Sequence, residues 1–223
     1  MGDIERKKVL GLYQELRRIY GQPDDQWQLW CKRPKTTREQ ELVMIGAVLT
    51  QQTSWRNVGY AMRELRRAKV VTLQQVADVW VRAPARLCTL IRSSGFYNTK
   101  ARYLGNLARF VTQEGGVRRL STRPLPRLRQ QLLELPGLGP ETTDSIILYA
   151  LAKPIFVIDE YTHRFVRAWG VGPSAATYHQ LQQYFMASLP KNYRLYQDFH
   201  ALIVIDAKAR RKAGAAHAPP FRP

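Results

Sequence analysis

Residues 135–159, LPGLGPETTDSIILYALAKPIFVID, decide how this chain is interpreted. Their order predicts the end of one helix, a glycine turn, a second helix, a short apolar connection and then an acidic residue, Asp159. We expect Gly137 and Gly139 to adopt backbone angles that are closed to other residues, and Pro140 to begin the second helix. A turn without side chains lets the backbone approach an anion closely. The stretch therefore predicts a phosphate-binding turn followed by a carboxylate.

The composition of the chain is strongly basic. Its 223 residues include 35 Lys and Arg against 17 Asp and Glu, which gives a formal net charge of +18 and a pI near 10.4. Nucleic acid is the first partner to expect, although ribosomal proteins and proteins of other anionic surfaces share this composition. The basic residues are spread along the chain, which favours a basic face on a globular protein of one core or two small lobes.

Cysteines and apolar runs exclude several classes of protein. Cys31 and Cys88 lie far apart and outside any CxxC pattern, so they build neither a disulfide framework nor a four-cysteine metal site. The opening residues MGDIERKK lack the apolar core of a signal peptide, and the longest apolar run, residues 42–49, is too short to cross a bilayer. We expect a cytoplasmic protein without membrane contact.

Helical periodicity recurs along the chain and alternating strand patterns hardly appear, which predicts an all-α fold. Thr37 with Gln40, and Thr72 with Gln75, predict capping boxes at the starts of two helices. The Ala- and Pro-rich tail after Ala213 is expected to be poorly ordered.

The segment LPGLGPETTDSIILYALAKPIFVIDEYTHR resembles the helix-hairpin-helix motif and catalytic-aspartate segment of the endonuclease III-like DNA glycosylases. The similarity extends through IGAVLTQQTSWRNVGYAM, LIRSSGFYNTKARYLGNLARF and FHALIV, and so covers most of residues 38–205. It implies a two-lobed helical fold with the active site in the cleft between the lobes. One lobe would comprise residues 1–36 and 152–223. The other would comprise residues 37–151 and end in the helix-hairpin-helix motif at about 126–151.

By this resemblance Asp159 is the catalytic residue. Cleavage of an N-glycosidic bond builds positive charge on the deoxyribose, as in glycoside hydrolysis. A nearby carboxylate stabilises that charge and can orient or deprotonate the attacking water. The alternative is that Asp159 only caps the helix beginning at Glu160, and the two roles are compatible.

Glu141 stands where bifunctional members of the superfamily carry a lysine that forms a Schiff base. A glutamate cannot form that intermediate, and Lys100 and Lys153 do not match the position, so the resemblance implies a monofunctional glycosylase that leaves an abasic site. Glu141 itself suits the first turn of a helix, where the helix dipole favours an acid.

The C-terminal region of this chain lacks the four cysteines that hold an iron–sulfur cluster in many relatives. We expect no such cluster and no other cofactor or metal, with a monovalent cation at the hairpin left open. Lys208 and His200 are candidates for steadying the region instead, unless they are simply a surface lysine and a core histidine.

Family members flip the damaged base out of the duplex, and unstacking it costs a few kcal/mol. They insert a polar side chain into the space that the base leaves. Gln52 is the first candidate for this insertion and Gln51 the second, unless both only form hydrogen bonds at a helix end. The turn itself completes the expected DNA contacts, at Gly137, Leu138, Gly139 and Pro140.

The motifs TQQTSWRNV, GFYNTKA and DEYTHR are most similar to the 3-methyladenine DNA glycosylase III branch. Alkylated purines carry positive charge and stack favourably on aromatic rings. The expected base pocket comprises Trp27 and Trp30, in a loop rich in Pro and Asp, together with Trp55 and Tyr161; core packing is the alternative for each tryptophan. The spacing of Trp27 and Trp30 departs from the adjacent tryptophans of that branch.

These observations predict a nucleoid-associated monomer that removes alkylated purines such as 3-methyladenine from damaged double-stranded DNA. Two alternatives remain open. The chain could act on mismatched, uracil-containing or oxidised bases, which need more specific hydrogen bonds. It could also be a non-catalytic helix-hairpin-helix protein that only grips backbone phosphates.

Overall fold

The computed structural model describes residues 3–173 and 175–212, and the regular structure in these ranges is helical throughout. The prediction of an all-α fold is confirmed. No helix in these ranges is both long and apolar enough to span a membrane. The tail after Ala213, which we expected to be poorly ordered, lies outside the described residues.

The helices follow one another with short connections. They are α1 (Asp3–Tyr20), α2 (Trp27–Trp30), α3 (Thr37–Leu49), α4 (Trp55–Arg67), α5 (Leu73–Arg82), α6 (Pro84–Leu90), α7 (Tyr97–Gln113), α8 (Val117–Ser121), α9 (Leu125–Leu133), α10 (Pro140–Ser145), α11 (Glu160–Trp169), α12 (Tyr178–Ser188) and α13 (Tyr193–Lys212). A 3₁₀ turn at Arg92–Ser94 precedes α7, and a π-helical turn at Ile146–Ala150 continues α10.

The chain divides into two compact units. The terminal unit contains the chain up to Cys31 and from Lys153 onward, and the central unit is Lys32–Ala152. Lys32 belongs to the central unit, where it forms an ion pair with Glu39 of α3. The division near the N-terminus therefore lies a few residues before the boundary at residue 36 that the sequence suggested.

An aromatic cluster forms the core of the terminal unit. Phe156 stacks on Phe185 with ring centroids 4.5 Å apart. The ring of Phe199 on α13 lies 5.9 Å from each of these two rings and 6.0 Å from that of Phe165 on α11. Aromatic pairs at such distances contribute beyond the apolar area that they bury. The cluster therefore fixes α11 and α12 against the middle of α13.

A buried carboxylate adds a second link within the terminal unit. Asp206 of α13 is 1% exposed. It accepts hydrogen bonds from Tyr20 Oη at 2.9 Å, Trp169 Nε1 at 3.1 Å and Arg210 Nε at 2.7 Å. These bonds tie the ends of α1 and α11 to α13, and the partners satisfy a charge that would otherwise be costly to bury.

The start of α3 corrects one sequence prediction. The capping box is formed by Thr36 and Glu39, not by Thr37 and Gln40. Glu39 accepts a hydrogen bond from the Thr36 backbone N–H at 2.8 Å, and its own N–H donates to Thr36 Oγ1 at 3.3 Å. Thr37 is already helical and cannot act as the cap. The second predicted box, at the start of α5, is confirmed.

Helix α3 is the centre of the second unit. Residues 43–49 are all buried, so the helix packs on every side and not along one apolar stripe. Such a helix is characteristic of a domain interior. Its C-terminal end leads directly into the turn at residues 50–54, which carries Gln51 and Gln52.

Candidate active site

Asp159 caps the N-terminus of α11. Its Oδ1 accepts hydrogen bonds from the Thr162 backbone N–H at 2.7 Å and from Thr162 Oγ1 at 2.9 Å. The Asp159 N–H donates to Thr162 Oγ1 at 3.4 Å, which completes a capping box. The capping role is therefore real, but it occupies only one carboxylate oxygen. The other, Oδ2, lies 3.4 Å from His200 Nε2.

The surroundings of Asp159 keep its carboxylate ionised. Burial of the side chain, which is 14% exposed, raises its pKa. The charge and hydrogen bonding of His200 and the two hydrogen bonds from Thr162 together outweigh that effect, and the pKa lies below its ordinary value of 3.8. A negative charge is thus maintained at neutral pH in a largely desolvated position, where electrostatic interactions are strong.

His200 places aromatic residues close to Asp159. It lies on α13, is 4% exposed, and meets Trp27 and Phe156 edge-on at ring-centroid distances of 6.0 and 6.5 Å. The sequence offered His200 as a brace or a core histidine. It is buried in the core as the second alternative states, yet it also contacts the catalytic candidate, and no sequence spacing indicated that contact.

A pocket of about 410 Å³ opens beside Trp27. Its lining includes Asp24, Asp25 and Lys208, of which the two aspartates were not among the predicted site residues. Lys208 donates to Gln26 Oε1 at 3.2 Å, and its Nζ also lies 5.6 Å from the centroid of the Tyr161 ring. Lys208 therefore connects the loop before α2 with α11 and α13, as a brace of this region would.

The predicted base-pocket residues divide between the two units. Trp27 and Trp30 form the ends of the short helix α2, where a loop was predicted, and each is 7% exposed. Their rings meet edge-on at 6.1 Å. Tyr161 lies in the first turn of α11. Trp55, in contrast, is the first residue of α4 in the central unit and is half-buried.

The two glycines of the turn between α9 and α10 have different roles. Gly137 has φ +91°, and a Cβ added there would lie 2.1 Å from the Tyr103 ring. Gly139 has φ −73° and ψ 176°, an extended conformation open to any residue, and nothing lies within 4 Å of its missing Cβ. The sequence prediction that both glycines need special backbone angles is therefore wrong for Gly139. Because Gly139 has no side chain and nothing lies within 4 Å of its missing Cβ, a ligand could reach its backbone directly.

The remaining predicted turn residues are placed unequally. Leu138 is 3% exposed, so its side chain packs inside the central unit and only its backbone could face a ligand. Pro140 and Glu141 are exposed at the start of α10. Further along α10, the buried carboxylate of Asp144 accepts two hydrogen bonds from the Arg129 guanidinium, at 2.8 and 3.1 Å. This paired geometry joins the two helices of the hairpin.

Gln51 and Gln52 have separate functions. The Gln51 side chain donates from Nε2 to the Gly137 carbonyl at 2.9 Å and to Thr142 Oγ1 at 3.0 Å. It therefore braces the glycine turn from within the protein. Gln52 is exposed and has φ +48°, a left-handed conformation that is uncommon for a residue with a side chain.

A second exposed residue shares this backbone conformation. Phe96, before α7, has φ +45° and is 67% exposed. Between the two turns lies Lys100, which is 2% exposed and donates from Nζ to the carbonyls of Leu49 at 2.8 Å and Ser94 at 2.6 Å. Burial lowers the Lys100 pKa to about 8. Sequence reasoning did not select Phe96, although an aromatic residue directly after the glycine of GFYNTKA was a usable signal.

Among the residues that the structure describes, no group of three or more His, Cys, Asp or Glu side chains is arranged to hold a metal ion. Asp159 and His200 instead form a close pair of ionisable side chains in the terminal unit.

Comparison with known proteins identifies the family. Residues 45–191 match the profile of the HhH-GPD superfamily of base excision DNA repair proteins. A candidate DNA repair glycosylase of Methanocaldococcus jannaschii is 36% identical over 98% of this chain and 96% of its own length. Among solved structures, the Helicobacter pylori 3-methyladenine DNA glycosylase MagIII bound to 1,N6-ethenoadenine has a TM-score of 0.74 at 24% identity, covering 93% of this chain and 98% of that one. A non-covalent endonuclease III–DNA complex gives 0.69 at 19% identity, covering 90% and 84%. The chain belongs to the HhH-GPD superfamily of base excision DNA repair proteins.

Proposed function

We propose that this DNA glycosylase hydrolyses the N-glycosidic bond of alkylated purines and leaves an abasic site, with Asp159 as the catalytic carboxylate. The observation that carries the proposal is that the two carboxylate oxygens of Asp159 have different partners. One oxygen is held by the α11 cap and the other lies beside His200, while the carboxylate as a whole stays ionised. A fixed negative charge of this kind stabilises the positive charge that develops on the deoxyribose.

The reaction balances with water as the only co-reactant. As the bond between C1′ and the base nitrogen breaks, its electron pair leaves with the base. A water oxygen bonds to C1′, and a water proton passes to Asp159 or to solvent. A 3-methylated adenine already carries the positive charge that this electron pair neutralises. Such a base needs no proton from the enzyme, which agrees with a site built around one carboxylate.

The residue at the position of the lyase lysine, and the two lysines considered as substitutes for it, support hydrolysis without strand cleavage. Glu141 at the exposed start of α10 is no amine and cannot form a Schiff base with the sugar. Lys100 is buried and donates to two backbone carbonyls. Lys153 lies before Asp159 in the terminal unit and is half-buried. We therefore infer a monofunctional enzyme that leaves the sugar–phosphate backbone intact.

Trp27 is the best supported of the aromatic residues for base recognition. It contacts His200, which flanks Asp159, and it also lines the pocket beside α13. A tryptophan face suits a positively charged purine because its ring attracts cations. The H. pylori structure that shares this fold holds 1,N6-ethenoadenine, an altered purine. The Trp30 ring meets the Trp27 ring edge-on at 6.1 Å and would support it.

DNA would be held by the central unit. The backbone of Gly139 is accessible to a phosphate. Gln52 and Phe96 have exposed side chains and a left-handed backbone conformation. Such backbone strain in exposed residues is typical of functional sites. We infer that Gln52 fills the space of a flipped base and that Phe96 wedges into the duplex beside it. The net charge of +18 would supply affinity that is independent of sequence.

Single-turnover base release from duplex DNA containing 3-methyladenine tests the proposal. Wild type is compared with Asp159→Asn and with Glu160→Gln, which removes a neighbouring exposed charge. We expect free 3-methyladenine from wild type and the control, strand breaks only after alkali, and a loss of about 100-fold or more in Asp159→Asn.

Each contrary result has a distinct meaning. Equal rates in wild type and Asp159→Asn would exclude Asp159 as the catalytic residue, and breaks without alkali would exclude a monofunctional enzyme. Release only from uracil, mismatched or oxidised bases would replace the proposed substrate. Tight binding of abasic DNA without release of any base would point to a non-catalytic protein.

A further inference from the structure

Two exposed turns of the central unit meet at one buried ammonium group. The Nζ of Lys100 donates to Leu49, the last residue of α3, and to Ser94, the last residue of the 3₁₀ turn before α7. Gln52 follows Leu49 by three residues and Phe96 follows Ser94 by two. Both carbonyls lie within hydrogen-bonding distance of one nitrogen, so the starts of the two turns are held at a fixed separation.

We propose that Lys100 is a positioning residue for base eversion, which sets the spacing of Gln52 and Phe96 so that both side chains enter the duplex together. This inference rests on the proposed function, because it assigns Lys100 a part in the DNA insertion described above. It distinguishes two tasks of the central unit. Lys100 is needed to open the base stack, whereas gripping the DNA backbone does not depend on it.

Burial explains why a lysine suits this place. The C-terminal carbonyls of a helix lack intrahelical partners and need donors. An ammonium group supplies several donors from one atom, and its hydrogen bonds to carbonyls are stronger than neutral ones. Lys100 is 2% exposed, so water would not readily replace it as a donor. Through Lys100, the end of α3 is thereby held to the 3₁₀ turn that precedes α7.

Further contacts hold the first turn on its other sides. Asn57 Nδ2 donates to Thr53 Oγ1 at 3.1 Å, and Ser93 Oγ donates to the Asn57 carbonyl at 3.1 Å. Gln51 ties the same turn to the glycine turn at Gly137. The left-handed conformations of Gln52 and Phe96 are thus held by surrounding bonds, as strained residues require. Asn57 thus links Ser93 with Thr53, and Lys100 joins the starts of both turns through a single nitrogen.

The test uses Lys100→Met, which keeps a side chain of similar length and removes the ammonium donors. Its control is Lys7→Met, a substitution that removes the same charge from an exposed residue of α1. The first readout is the fluorescence of 2-aminopurine placed opposite a tetrahydrofuran abasic analogue, which increases when the base is unstacked. We expect wild type and Lys7→Met to produce the increase. Lys100→Met should bind the duplex within about twofold of wild type and lose most of the signal.

Base release provides the second readout. The rate of Lys100→Met should fall about tenfold or more on a lesion in a paired duplex and much less on the same lesion in a single-nucleotide bulge, where unstacking costs little. An equal loss on both substrates would mean a general structural defect and would overturn the inference. A wild type that releases no base at all would refute the proposed function, while the fluorescence experiment would still decide the role of Lys100.

A double-mutant comparison guards against a folding defect in Lys100→Met. Gln52→Ala and Phe96→Ala change exposed side chains, and their combination should reproduce the loss of fluorescence. If Lys100 acts through these two residues, adding Lys100→Met to that combination should cause little further loss in the rate of base release. A full additional effect in that background would show that Lys100 acts elsewhere, and the inference would fail.

Discussion

Replacement of Gly137 by alanine should destabilise the protein because of two separate strains. The added Cβ would lie 2.1–2.3 Å from three atoms of the Tyr103 ring, far inside van der Waals contact. The residue would also have to hold φ +91°. We expect a backbone cost of about 1–2 kcal/mol and an overpacking cost of about 1–3 kcal/mol. The free energy of unfolding should therefore fall by about 2–5 kcal/mol.

Gly139→Ala is the matched control from the same turn. Its φ of −73° is ordinary, and its added Cβ would meet open space. Its stability should lie within about 0.5 kcal/mol of wild type, as for most surface substitutions. If a phosphate approaches this backbone, Gly139→Ala should nevertheless weaken binding to all duplexes alike, whether damaged or not. Unchanged affinity would mean that the turn does not contact phosphate at this residue.

Denaturant unfolding of a double-mutant cycle with Tyr103→Ala separates the two strains. Without the ring, Gly137→Ala should cost only the backbone part, about 1–2 kcal/mol. A cost that is the same with and without the ring would refute the steric explanation. A Gly137→Ala protein as stable as wild type would refute both parts of the reasoning.

Three further outcomes follow from the terminal unit. In His200→Asn the pKa of Asp159 should rise, because the charge of His200 helps to hold it below its ordinary value. The acid limb of the pH–rate profile for base release should therefore move to higher pH, and an unmoved limb would exclude this coupling. Asp159→Ala should lose about 0.5–2 kcal/mol of stability in thermal unfolding because the cap of α11 is lost, whereas Asp159→Asn retains an acceptor and should lose less. Asp206→Ala should cost about 3–5 kcal/mol, since it leaves Arg210, whose side chain is only 14% exposed, without its carboxylate; a cost below about 1 kcal/mol would contradict that assignment.

Local patterns in the sequence predicted most of the fold. The glycine turn and the α5 capping box each depend on residues within a few positions of one another. The capping box of α3 was misplaced by one residue because TTREQ offers two overlapping boxes, and local sequence does not choose between them. Helix α2 has four residues, too few to show a helical period.

Contacts between distant segments could not be predicted in the same way. The partners of Lys100 are carbonyls, and a carbonyl has no side-chain signal in the sequence. The contact of His200 with Asp159 depends on how α13 packs in the terminal unit. The different roles of Gln51 and Gln52 could be assigned only from the backbone angles of the turn, since two adjacent glutamines look equivalent in sequence. These are the contacts that distinguish a bracing residue from an exposed one.

The structure also removes an apparent conflict between the two interpretations of Asp159. An aspartate before a helix is usually a cap, and a cap is usually no catalyst. Here Oδ1 receives both hydrogen bonds from Thr162, so the cap fixes the position of the carboxylate without using Oδ2. His200 and the hydrogen bonds from Thr162 together hold the pKa of the carboxyl below its ordinary value despite its burial. In the proposed mechanism, the cap contributes to catalysis by orienting a charge that needs no reorganisation when the glycosidic bond breaks. On this argument, the substitution that removes the chemistry while preserving the cap is Asp159→Asn, and its loss of base release should exceed any loss of stability.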